Sequence, residues 1–202
     1  MMAIEAQGLG RQFNQHWVFR NLSFSIAAGG SLAILGANGA GKSTLVKLIA
    51  GQLTHTAGTL THTLAGKALE PENLYSHLSW CAPYIEAYPA LTVRESFALH
   101  FRFKACLLSG AAECLDALQL TAHAHKPLHQ LSSGLLQRAY LGLALFSQSA
   151  LLLLDEPTSH MDEGNAAFVL SLVDAHCAGR TLVLASNMER EYEAVKTRLT
   201  LS

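Results

Sequence analysis

Gly36-Ala37-Asn38-Gly39-Ala40-Gly41-Lys42-Ser43-Thr44 is the stretch whose reading decides the fold. It satisfies the pattern G-x-x-x-x-G-K-[ST] at every fixed position. An apolar run, Ser31-Leu32-Ala33-Ile34-Leu35, leads into it and predicts a buried strand. Leu45-Val46-Lys47-Leu48-Ile49-Ala50 follows and predicts a helix. Strand, glycine-rich loop and helix in that order are the setting such a loop needs. Glycines let the backbone curl until several N–H groups point inward, and the helix N-terminus adds partial positive charge. Together these residues imply a cradle for the phosphates of a nucleoside triphosphate. Lys42 is then expected at the β- and γ-phosphates and the Ser43 hydroxyl on Mg²⁺.

Leu151-Leu152-Leu153-Leu154-Asp155-Glu156-Pro157-Thr158 is the second informative stretch. Four leucines with no polar residue predict a central parallel strand covered on both faces. The strand ends in two carboxylates. Asp155 is expected to complete the Mg²⁺ shell opposite Ser43, and Glu156 to act as the base that polarises an attacking water. Alone, a buried strand that stops where charge begins would explain this run equally well; beside a phosphate loop it does not. Between the two stretches, Leu131-Ser132-Ser133-Gly134-Leu135-Leu136-Gln137-Arg138 precedes an apolar helical run from Ala139 to Phe146. Ser132 is expected to cap that helix, and Gly134 to let backbone N–H groups approach a phosphate.

With these residues in place, the chain resembles the ATP-binding subunit of an ABC transporter over nearly all its length. The resemblance implies an α/β fold: a P-loop NTPase core with a mostly parallel central sheet, an N-terminal antiparallel β-subdomain and an inserted helical subdomain. It implies one ATP-binding domain over 1–202, with the insertion at about 84–149. Leu131 to Arg138 resembles the family signature, with Ser133 where Gly is usual. The resemblance gives Ser132, Ser133 and Gly134 to the ATP held by the phosphate loop of an opposite subunit. Ser159-His160-Met161-Asp162 resembles the loop that communicates across the dimer and ends in its Asp. Ala90 to Ser96 resembles the start of the helical subdomain. Phe13 lies where the family places a ring on adenine; Trp17 and Phe19 are nearby alternatives, and an aromatic packed in a small β-subdomain is a further one.

Two positions depart from the family pattern. Tyr84 follows Pro83 where a Gln is usual, and a phenol is a poorer neutral metal ligand than an amide oxygen. Ser186-Asn187 follows the last core strand where the switch His is usual. Asn187 is expected to hydrogen-bond a γ-phosphate but cannot become cationic. Loss of one stabilising donor in such a site costs ~3 kcal/mol, about a hundredfold in rate. Glu156 is retained, so an active but slow ATPase is expected. The Ala-Pro-Tyr and Ser-Asn combination resembles a less-described branch of the family.

The 202 residues are half apolar, and no apolar run reaches the ~18 residues of a membrane-spanning helix. The N-terminus lacks a secretory profile. A net charge of −1 argues against a nucleic-acid partner. The four cysteines, Cys81, Cys106, Cys114 and Cys177, have no metal-site spacing and suit free, mostly buried thiols in a reducing compartment. His123, His125 and His129 cluster before the signature and are expected to be solvated. The chain leaves no expected room for a regulatory or membrane domain. The resemblance therefore implies a second ATP-binding subunit, as a homodimer, and a separate transmembrane permease subunit. Such a chain sits in the cytoplasm, on the inner face of the membrane through that permease. Tyr84 to Leu91, with Tyr84, Glu86 and Tyr88, is the expected docking segment. In its short length the chain is similar to the ATP-binding subunit of the haem exporter used in cytochrome c maturation. A soluble ABC-type ATPase and a weakly hydrolysing, nucleotide-gated module are the competing expectations.

Expected strands are Ile4 to Leu9, Leu22 to Ile26, Gly58 to Leu64, Leu78 to Ala82, Arg180 to Ala185 and Arg198 to Leu201. Expected helices are Val93 to Lys104, Ala111 to Leu120, Ser133 to Ser147 and Glu163 to Cys177.

Overall fold

In chain order the elements are β1 (Met2–Phe13), β2 (His16–Ile26), β3 (Ser31–Leu35), α1 (Lys42–Ile49), β4 (Ala57–Leu64), β5 (Lys67–Ala68), α2 (Leu74–His77), β6 (Leu78–Cys81), α3 (Val93–His100), α4 (Ala111–Ala117), α5 (Ser133–Leu145), β7 (Leu151–Asp155), α6 (Glu163–His176), β8 (Thr181–Ala185), α7 (Glu189–Tyr192) and β9 (Thr197–Thr200). They come from a computed structural model that describes residues 1–85 and 87–201. The chain divides into two compact units.

The first unit comprises Met1–Leu78, Ser149–Glu156 and Ala178–Ser202. It holds an antiparallel sheet ordered β2-β1-β4-β5. β1 alternates in burial over its first residues, with Met2, Ile4 and Ala6 inside, as a strand with one wet face should. The second sheet is ordered β6-β7-β8-β3-β9, with Leu78 of β6 in this unit. β7, β8, β3 and β9 run parallel. Every residue of β7 and β8 is buried. Burial of a leucine side chain is worth about 1.5–3 kcal/mol, which commits the four-leucine strand to the interior. Register then fixes the site. Ile34 pairs with Ala185, and Ala185 pairs with Asp155, so three neighbouring strands end in one row.

The second unit comprises Ser79–Gln148 and Pro157–Cys177. It begins five residues before the expected insertion and adds the segment after the Asp-Glu strand. Within it α3 packs on α4 and α5, and α5 packs on α6. Gly142 of α5 admits Leu118, whose Cδ1 would lie 2.2 Å from a Cβ there.

All four expected helices end earlier than their apolar pattern predicts, α6 by a single residue at His176. α3 stops at His100 because its last turn tightens: Arg102 N–H donates to Leu99 O and Phe103 N–H to His100 O. α4 stops at Ala117 because Gln119 turns left-handed, at φ 55°. Leu120 N–H then reaches back to Leu115 O at 2.7 Å, which closes the helix end. α5 stops at Leu145, where the Ser147 hydroxyl bonds Leu143 O at 2.6 Å and Ser147 bridges Cys106.

Candidate functional site

The phosphate loop leaves the row of strand ends directly after β3. Gly36, Gly39 and Gly41 all have positive φ. At Gly41 the requirement is twofold. Its φ is 98°, and a Cβ would lie 2.5 Å from Val18 Cγ1 and 3.1 Å from Phe19 Cδ1. Lys42 is the first residue of α1 and is 5 % exposed. Its ammonium donates to Gly36 O at 2.8 Å and Ala37 O at 3.2 Å, so the charge is held over the loop by the loop's own carbonyls. Ser43 and Thr44 follow in the first turn of α1, half-buried.

Asp155 ends β7 and is 1 % exposed. A carboxylate so deep is costly unless donors or a cation meet it. Ser43 and Asp155 are hard oxygen donors of the kind Mg²⁺ takes, so the residues present fit that ion. Glu156 is half-buried and left-handed, at φ 48°, while its N–H continues the ladder to Ala185 O at 2.9 Å. The strand thus extends one residue past Asp155 in backbone pairing but turns there. Non-glycine residues held in this region cluster at functional sites.

Asn187 lies two residues beyond β8. Its Nδ2 donates to Asn38 Oδ1 at 3.1 Å, which ties it to the phosphate loop. Neither residue type alone signals that contact, so only the fold reveals it. Of the three aromatic candidates for adenine, Phe19 is 8 % exposed and packs beneath Gly41. Phe13 and Trp17 are 43 % and 41 % exposed. Trp17 lies over Gly10, and the Arg11 guanidinium covers one face of Phe13 at 4.3 Å.

The second unit carries the signature. Ser132 stands at the N-cap of α5 in extended conformation, but its hydroxyl makes no capping bond, contrary to expectation. The contrast with its neighbours is clear. Thr92 forms a full capping box with Glu95, and Asp162 caps α6 by accepting from Asn165 N–H at 2.8 Å. Asp162 also accepts from Asn165 Nδ2 at 2.7 Å, and these bonds hold its carboxyl below the usual carboxylate range. Ser132, Ser133, Gly134, Arg138, His160 and Asp162 line a pocket of ≈ 220 Å³. Arg138 is 7 % exposed, and desolvation lowers its pKa. Its guanidinium donates to Asn165 Oδ1 and to Leu118 O. His160 has a φ of 62°, which only the structure shows.

Tyr84 is 40 % exposed and meets Trp80 edge-to-face at 5.7 Å. Glu86 lies outside the described residues. Tyr88, Leu91, Leu99, Phe103 and Leu143 line an apolar groove of ≈ 210 Å³, with Tyr88 72 % and Phe103 83 % exposed. Cys81 and Cys114 are buried, whereas Cys106 and Cys177 are half-buried, so the thiols are less buried than expected. Among the described residues no three His, Cys, Asp or Glu side chains gather as a metal site, and no helix is long and apolar enough to cross a membrane.

A family model described as "ABC transporter" matches residues 19–159. The cytochrome c biogenesis ATP-binding export protein CcmA of Mesorhizobium japonicum is 32 % identical over 185 residues, 92 % of this chain and 91 % of that protein. The linearmycin resistance ATP-binding protein LnrL of Bacillus subtilis is 28 % identical over 97 % of this chain and 65 % of its own length. Among solved structures, the ATP-binding cassette MJ0796, a dimer in a post-hydrolysis state bound to ADP and Pi, superposes with a TM-score of 0.84 at 21 % identity, covering 98 % of this chain and 94 % of that one.

Proposed function

The chain belongs to the ABC transporter family, and from that premise we propose how its residues power transport. Two copies bind two ATP molecules, each between the phosphate loop of one copy and the Ser132-Ser133-Gly134 pocket of the other. Lys42 and the loop N–H groups hold the β- and γ-phosphates. Ser43 and Asp155 hold Mg²⁺, which when bound offsets charge on the phosphate oxygens. Glu156 orients a water and takes its proton as the water oxygen bonds the γ-phosphorus. The β–γ bridging bond breaks, and ADP and phosphate leave. Asn187, tethered to Asn38, donates to the γ-phosphate from its neutral amide. Phe13 offers its free face to adenine.

The observation that carries this reading is the common row of strand ends. Ile34, Ala185 and Asp155 lie in register, so the phosphate loop, Asn187 and the Asp155-Glu156 pair all leave the same edge of one sheet. Ligands of open parallel sheets bind beyond the carboxyl ends of their strands.

Binding closes the pair and hydrolysis opens it, and a separate permease converts that cycle into alternating access. The Tyr88–Phe103 groove is apolar and exposed, as a docking surface for a permease segment would be. The ATPase is thereby peripheral to the membrane. The two named relatives carry the names of different processes, cytochrome c biogenesis export and linearmycin resistance, so cargo is assigned to the permease rather than to this chain. The test is recovery of the tagged Glu156→Gln chain from native membranes with ATP and Mg²⁺. A multi-span membrane protein is expected to co-purify; the chain alone, or with soluble partners only, would refute transport.

A further inference from the structure

We propose that His160 is a catalytic residue acting in trans: its imidazole N–H donates to the triphosphate on the second copy's phosphate loop, adding a donor to the neutral amide of Asn187. The proposal rests on the two-copy reading above and adds a residue to it.

The pocket that His160 lines is built from donors. The N-termini of α5 and α6 both open on it, so partial positive charge converges there. The N–H groups of α5 are not spent on a side-chain cap, because the Ser132 hydroxyl makes no capping bond. The carboxylate in the lining, Asp162, has both oxygens committed to Asn165. The other charged group there, Arg138, is more than nine-tenths buried, and its Nε has no hydrogen-bond partner. What remains is an anion-seeking surface with one exposed imidazole at its edge.

His160 is held there at a cost. It sits in a turn closed by Met161 N–H to Thr158 O at 3.2 Å, with a φ of 62°. L-residues disfavour that conformation, and glycine would adopt it freely. The turn therefore gains nothing from an imidazole, and an exposed side chain adds little packing. Across the reaction, the position after β8 carries Asn187, a neutral donor bound to Asn38. An imidazole N–H from the opposite copy supplies a second donor to the same triphosphate.

His160→Gly separates the chemistry from the turn. Glycine keeps the left-handed turn and relieves it, so the melting temperature is expected to hold or rise. The kcat for ATP is expected to fall about a hundred- to a thousandfold, the range for losing one donor to a developing oxyanion, with nucleotide affinity of the single copy unchanged. A melting temperature that holds with an unchanged kcat would overturn the proposal, because a turn residue alone behaves that way. Mixed pairs test the trans assignment. Lys42→Ala chains mixed with His160→Gly chains are expected to match the turnover of Lys42→Ala mixed with parent, since one composite site is intact. The double variant mixed with parent is expected to stay at the His160→Gly level. The reverse pattern would place His160 on its own copy's nucleotide and refute the assignment. Light scattering of Glu156→Gln with ATP keeps the two readings apart. A persistent monomer sinks the two-copy reading; a dimer with unchanged His160→Gly turnover sinks His160 alone.

Discussion

The phosphate loop and the signature pocket are both assigned to phosphate, yet they are built on opposite principles. The loop is closed on itself. Its cation rests on its own carbonyls, Gly41 is wedged against Val18 and Phe19, and Asn187 is tied to Asn38. The signature pocket is open. Its capping hydroxyl is unspent and its turn holds a strained His160. A site made from backbone tolerates almost no side chain, whereas a site made from helix ends tolerates several. Ser133 in place of a glycine illustrates the second case: it is exposed at the start of α5, where a hydroxymethyl group has room.

The sharpest way to break this contrast is at the chemistry. Glu156→Gln removes the proton acceptor and little else, so turnover should fall by about 10²–10⁴ while ATP binding persists. Single-turnover assays and equilibrium binding on the same preparation check both halves. Equal turnover would remove Glu156 from the mechanism. Next is Gly41→Ala. The added Cβ meets Val18 at 2.5 Å and forces a φ of 98° on an L-residue. A loss of about 1–3 kcal/mol in stability is expected from overpacking and strain, with ATP binding abolished in calorimetry. Ser133→Gly, the matching change in the open pocket, should shift stability by less than about 1 kcal/mol.

Much of the first unit was legible because its signals are local. A glycine-lysine-serine pattern and a four-leucine strand each name their own structure, and the parallel order follows from burial on both faces. The second unit was less legible. The early end of α4 depends on Gln119 turning left-handed, which nothing about glutamine announces. The end of α5 depends on a bridge between Cys106 and Ser147, forty-one residues apart in sequence. Asn187 was flagged as a departure from the family, but its bond to Asn38 spans 149 residues and follows only from strand register. The unspent hydroxyl of Ser132 is likewise a matter of side-chain geometry, because its sequence reads as a cap. Thr92 and Asp162, by contrast, do cap their helices.

That difference among caps gives a smaller prediction. Asp162→Ala removes two hydrogen bonds at the start of α6 and should cost about 0.5–2 kcal/mol, as lost caps do. Ser132→Ala should cost almost nothing in stability, since no capping bond is lost. Urea denaturation of the two variants compares them directly. A large loss for Ser132→Ala would mean that the hydroxyl does cap α5 in solution, and the pocket would then offer fewer free N–H donors.

The smallest effect concerns pH, and it compares one buried histidine from each unit. His62, on β4, is 9 % exposed and its Nε2–H donates to Ile49 O at 2.9 Å; burial lowers its pKa, with the backbone bond opposing. His100, on α3, is half-buried against Ser147 Oγ at 2.7 Å; burial lowers its pKa, and Lys104 adds to the shift. Both folded values lie below the unfolded one of about 6.5. The unfolded chain therefore binds protons that the folded chain refuses. Stability from these groups is full above the unfolded value and is lost as pH falls through it toward the folded value. The melting temperature should drop between about pH 7.5 and about pH 5.5, a window that brackets the ordinary histidine value. His62→Gln should flatten that slope more than His100→Gln, because His62 is the more completely enclosed. Equal slopes in parent and both variants would mean that water reaches these rings, and that the sheet unit is no more tightly sealed than the helical one.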